Sequence, residues 1–74
     1  MAARVELFTR QGCHLCDDAL RLLRAHGVEP QLLDIDEDPA LRDLYHAWVP
    51  VVAIDGKVRF RGQIDPRLLK RLLR

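Results

Sequence analysis

Serine and asparagine are absent from this 74-residue chain, aromatic residues make up only 5% of it, and cysteine occurs twice. Ten arginines against two lysines fit a coding bias and, with so few thermolabile amides, a heat-adapted composition. Long apolar runs are missing as well. The longest is Val49-Pro50-Val51-Val52-Ala53-Ile54. A membrane span needs about 20 apolar residues and a secretory signal about 7–15, so neither is expected, and the expected location is cytoplasmic. No charge dominates either: twelve Lys+Arg face eleven Asp+Glu, a formal net charge of +1. A nucleic-acid binder would present a strongly basic excess, so neither nucleic acid nor membrane is an expected partner.

The scarcity of cysteine is the most informative of these deficits. Disulfide staples gain most from closing long loops, and Cys13 and Cys16 would close a very short one. Two thiols also fall short of the four ligands of a closed zinc site. In a reducing compartment such a pair is redox-catalytic or binds a soft metal.

What the chain does have is thirteen Leu, six Val and three Ile, enough apolar side chains for one small core. Residues 1–74 read as a single domain that buries about 60–65% of its unfolded surface. Arg4 to Thr9 alternates and is rich in strand formers. Gln11-Gly12 turns the chain, and Cys16, Ala19, Leu20 and Leu23 then form the stripe of an amphipathic helix from Cys13 to His26. Gly27 stops it, with Arg24 and His26 suited to the C-terminal dipole. Gln31 to Ile35 reads as a second strand. Asp38-Pro39 opens a helix whose stripe is Leu41, Leu44, Tyr45 and Trp48, with His46 late in it. Asp55-Gly56 joins two strand-like runs as a tight hairpin. Asp65-Pro66 begins a last helix with Leu68, Leu69, Leu72 and Leu73 facing inward. The order is β-α-β-α-β-β-α, an α/β fold with a four-stranded mixed sheet flanked by helices. Its first two strands are parallel and the closing hairpin antiparallel. The acids from Asp34 to Asp38 lack the glycine and the distal glutamate of a calcium loop, and read as helix caps.

Chemistry concentrates at Gly12-Cys13-His14-Leu15-Cys16. A cysteine at a helix N-terminus meets free amide N–H groups and the positive end of the dipole, which favour thiolate, the form that attacks disulfides. Cys16 lies one turn deeper on the apolar stripe, sheltered until a mixed disulfide forms at Cys13. Arg10 and, when protonated, His14 are placed to lower the Cys13 pKa, and Asp17 opposes them. At helical spacing Arg21 can pair with Asp17, and Asp18 with His14.

Cys13-x-x-Cys16 after a strand, Val49-Pro50 opening a hairpin and Gly62 before the last helix together resemble the glutaredoxin branch of the thioredoxin superfamily, over essentially the whole chain. The resemblance implies a thioredoxin/glutaredoxin-like fold. It also implies a cis proline at Pro50 beside the sulfurs, with Val49 contacting the backbone of a bound disulfide substrate. Leu7 stands where true thioredoxins carry a buried acid. His14-Leu15 replaces the usual proline-containing pair, and Arg61-Gly62-Gln63-Ile64-Asp65 has one glycine where glutathione-binding members have two. Phe60-Arg61-Gly62 is similar instead to the small redoxins that serve ribonucleotide reductase.

The expected activity is thiol–disulfide oxidoreduction. Cys13 attacks and Cys16 resolves; Arg10 and His14 tune the thiolate, while Gln11, Gly12, Val49 and Pro50 meet a protein or small-thiol disulfide. Either thioredoxin reductase or glutathione would be the upstream reductant, the chain would act as a monomer, and neither cofactor nor metal is required. The alternative is a copper or zinc carrier using the same cysteines. Such carriers run β-α-β-β-α-β and end on a strand, an order this sequence does not follow.

Overall fold

The computed structural model describes residues 4–73. Along the chain come β1 (Val5–Thr9), α1 (His14–Ala25), β2 (Gln31–Asp34), a 3-10 turn (Ile35–Glu37), α2 (Pro39–Tyr45), β3 (Val51–Ile54), β4 (Lys57–Arg61) and α3 (Pro66–Leu72). The strands form one sheet in the order β2-β1-β3-β4. β1 runs parallel to β2, with Phe8 opposite Leu33, and antiparallel to β3, with Phe8 opposite Val51. β3 and β4 are antiparallel, with an irregularity between Val52 and Ala53. The expected mixed four-stranded architecture is present, ending on a helix.

The central position of β1 and β3 follows from their side chains. All four residues of β3 are buried, which suits a strand covered on both faces. Val5, Leu7, Val52 and Ile54 join Ala19 and Leu23 of α1 and Leu69 of α3 on one face. Phe8, Val51 and Ala53 pack with Ile35 on the other, under Leu41 and Tyr45 of α2. Successive strand residues point to opposite faces, so one pair of strands feeds both clusters. At the hairpin tip Asp55 (φ 53°) and Gly56 (φ 84°) are both left-handed, the geometry a two-residue turn needs to match strand twist.

With serine and asparagine absent, aspartate does most of the helix capping. Asp34 accepts from the Asp36 N–H, Asp38 from that of Ala40, and Asp65 from that of Arg67. The acidic stretch from Asp34 to Asp38 is thus a pair of caps around a 3-10 turn. α1 closes in a Schellman arrangement: Val28 N–H donates to Leu23 O and Gly27 N–H to Arg24 O, with Gly27 at φ 78°. The His26 ring bonds the Leu22 carbonyl, which also accepts the His26 backbone N–H at 3.2 Å.

Several side chains depart from the periodic reading. Trp48 is 54% exposed and Leu44 63%, whereas both were expected to face inward. α2 ends at Tyr45, so Trp48 lies beyond the helix and its period no longer applies. Within α2 the narrow stripe of Leu41 and Tyr45 suffices to cover the sheet, and Tyr45 stacks on Phe8 with ring centroids 4.8 Å apart. Leu68 is 39% exposed while Leu69 is fully buried, because neighbouring helical residues point about 100° apart. β2 stops at Asp34, one residue early, since the Asp34 cap turns Ile35 into the 3-10 segment.

Candidate active site

Cys13 is the N-cap of α1, with extended backbone (φ −91°, ψ 105°), placed there by the left-handed Gly12 (φ 78°) of the Gln11-Gly12 turn. Its sulfur accepts a hydrogen bond from the Cys16 N–H at 3.1 Å. The two sulfurs are joined as a disulfide, with Cα atoms 5.2 Å apart. Cys13 is half-buried, whereas Cys16 is 2% exposed. The pair is therefore asymmetric: one sulfur accepts a backbone N–H at a helix N-terminus within reach of solvent, and the other lies beneath it against the core.

The charges around the pair are arranged differently from the helical-spacing expectation. Arg21 pairs with Asp18 rather than Asp17, so Asp18 does not serve His14, which is exposed. Both guanidinium edges of Arg10 are engaged away from the sulfurs. Nη2 and Nε bind the two carboxylate oxygens of Asp36 at 2.5 and 3.0 Å, and Nη1 donates to the His46 carbonyl at 3.2 Å. This fork holds the Asp36 carboxyl below the usual carboxylate range, through its hydrogen bond to Arg10 first, and raises the Arg10 pKa in turn. Arg10 also ties the end of β1 to the segment leading into Val49. Neither Asp36 nor His46 carries a sequence signal for this contact, because residues 26 and 36 positions away are brought together by the sheet alone.

The Val49-Pro50 peptide is cis, and Pro50 is buried with Val49 half-buried. Pro50 directly precedes Val51, which sits opposite Phe8 near the C-terminal end of β1. The proline and the Cys13 turn thus leave the sheet at the same end. Gly62 secures the loop from the other side: its N–H is shared by the Pro50 carbonyl at 2.8 Å and the Trp48 carbonyl at 3.1 Å. Gly62 adopts a left-handed φ of 84°, a conformation that glycine takes without strain, and the glycine itself is the only mark of this role in the sequence. Leu15 of the Cys13-Cys16 segment and the Gly62-Gln63 backbone line opposite walls of an open groove whose floor includes Ala19. Among the described residues, no cluster of three or more His, Cys, Asp or Glu is disposed to hold a metal, and no helix is long and apolar enough to cross a membrane.

Residues 4–74 match a family described as Glutaredoxin-like domain (DUF836). A curated relative, monothiol glutaredoxin-S8 from Oryza sativa subsp. japonica, is 32% identical over 66 residues; the match spans 84% of this chain and 58% of that protein. The solution structure of protein Ne2328 from Nitrosomonas europaea superposes with a TM-score of 0.88 at 25% identity, covering 100% of this chain and 94% of the other. An X-ray structure of protein XcR50 from X. campestris is similar at TM-score 0.79 and 31% identity, covering 90% and 91%.

Proposed function

The chain belongs to the glutaredoxin-like domain family, and on that premise we propose that it is a cytoplasmic thiol–disulfide oxidoreductase that reduces protein or low-molecular-weight disulfides through Cys13 and Cys16. The observation that carries this reading is the unequal placement of the two sulfurs. In the reduced form the Cys13 thiolate is stabilised by the amides of the α1 N-terminus, and Arg10 and His14 are assigned its tuning, Arg10 through its pair with Asp36. It attacks one sulfur of a substrate disulfide, and the other sulfur leaves as a thiolate. Cys16 gives up its proton and attacks the Cys13 sulfur of the mixed disulfide. The substrate departs fully reduced, and the two electrons it gained leave the Cys13–Cys16 pair oxidised. An upstream reductant, thioredoxin reductase or glutathione, restores the dithiol. Gln11, Gly12, Val49 and Pro50 border the approach to Cys13 and are assigned the substrate contacts. The rice relative is named for a single thiol; the second cysteine of this chain supplies the resolving step.

Replacing Cys16 with Ser tests the assignment. That variant should accumulate covalent mixed disulfides in an extract, while Cys13→Ser should trap none. Equal trapping by both variants would overturn the order of attack.

A further inference from the structure

The balanced net charge conceals a division along the chain. Residues 57–74 hold seven Lys/Arg and one Asp, whereas residues 1–56 hold five Lys/Arg and ten Asp/Glu. Pairing is divided in the same way. Among the described residues, all the ion pairs, Arg4–Glu6, Arg10–Asp36, Arg21–Asp18 and Arg24–Glu29, lie within the first 36 positions. Lys57, Arg59 and Arg61 are exposed on β4, an edge strand. The one acid beyond them, Asp65, is engaged in capping α3.

The strand that carries these cations runs into the active site. Arg61 pairs with Val51, next to the cis proline, and is followed by Gly62, which holds the Pro50 carbonyl and lines the groove opposite Leu15. Phe60 points into the core with α1 and α3, so Arg61 projects from the other face of the sheet. Arg59, skipped by the ladder at its irregularity, is exposed on the same strand. The far wall of the groove carries Asp18, neutralised by Arg21. Arg61 therefore places exposed positive charge on the β4 edge at the end of the sheet that carries the cis proline.

We propose that the exposed cations Arg59 and Arg61 of β4 form a docking surface for an acidic protein that carries the disulfide to be reduced. This rests on the redox reading above and names its partner class. Charge complementarity argues for a protein over a nucleic acid. A polyphosphate would meet an excess of acids on the remainder of a molecule only 33 × 23 × 17 Å in extent, whereas a folded partner can present acids to one edge alone. Such contacts act chiefly on the rate of encounter and weaken as salt screens them.

The test uses the pre-reduced full chain in excess over peptides whose single cysteine is held as a 2-pyridyl disulfide. Attack on the peptide sulfur releases pyridine-2-thione, which is read by absorbance. Four glutamates are placed either before or after the cysteine, and compared with glutamine and lysine counterparts. At low ionic strength, glutamates on one flank should speed release about tenfold over the glutamine peptide, and the advantage should shrink to within about twofold at 0.5 M salt. The Arg59→Glu/Arg61→Glu double variant should lose that advantage and keep its rate on the glutamine peptide. Equal rates for glutamate and glutamine peptides on both flanks would overturn the proposal. So would inhibition of the acidic peptide by a short DNA duplex at lower concentration than by a poly-glutamate of equal charge, or salt-sensitive dimerisation that accounts for the rate change. Failure to release thione from any peptide would overturn the redox reading itself, and the docking surface with it.

Discussion

Arg10 shows how one side chain can carry a different role from the one its sequence position suggests. Three residues before Cys13, it reads as a cation for the thiolate, yet its guanidinium is forked onto Asp36 and bonded to His46. Substituting Asp36 with Asn removes the opposing charge and should lower the Cys13 pKa relative to the wild-type chain, as measured by thiolate absorbance of the reduced protein. The same pair gives a pH dependence. The Asp36 carboxyl is held below its ordinary value of 3.8, so its contribution is complete above that pH and fades as pH falls through the depressed value. Thermal melts below pH 4 should therefore show a steeper acid loss in the wild type than in Asp36→Asn. The unequal cysteines, by contrast, were legible from spacing, since the helix that begins at Cys13 and the stripe containing Cys16 are both local properties. Arg10's partners were not, because contacts across 26 and 36 residues depend on how the sheet is assembled.

At the level of elements, α3 separates two leucines that look alike in sequence. Leu69 is completely buried among Val5, Leu7 and Leu23, and Leu68 is 39% exposed. Leu69→Ala should cost about 2–5 kcal/mol in urea unfolding and Leu68→Ala less than about 0.5 kcal/mol. The Asp65 cap donates no packing of its own, yet it satisfies the Arg67 and Leu68 N–H groups of this short helix. Asp65→Ala should cost about 1 kcal/mol in the same measurement. Starts of elements were well marked by Gly12-Cys13, Asp38-Pro39, Asp55-Gly56 and Asp65-Pro66, because capping and turn chemistry are written in adjacent residues. Ends and facings were less so. Whether Leu44 or Leu41 meets the sheet depends on the angle at which a seven-residue helix lands, and Trp48 belongs to a loop whose course is set by Gly62 and Arg10.

For the molecule as a whole, the order β2-β1-β3-β4 places β1 and β3 under cover on both faces and leaves β2 and β4 at the rims. Native-state amide exchange should be slowest at Leu7, Phe8, Val51 and Val52 and faster in both rim strands. The sequence announced a parallel pair and a hairpin but not which hairpin strand would dock on β1. The unbroken apolar run Val51-Val52-Ala53-Ile54 decides it, since a strand with no polar face has to be inside. Register then fixes polarity. Val5 lies opposite Ile54, and Asp55 bonds Arg4, so the hairpin tip and the cysteines occupy opposite poles of the sheet. A chain tethered to an electrode or bead through a residue inserted between Asp55 and Gly56 would stand with its sulfurs outward, oriented for electron exchange with whatever flows past.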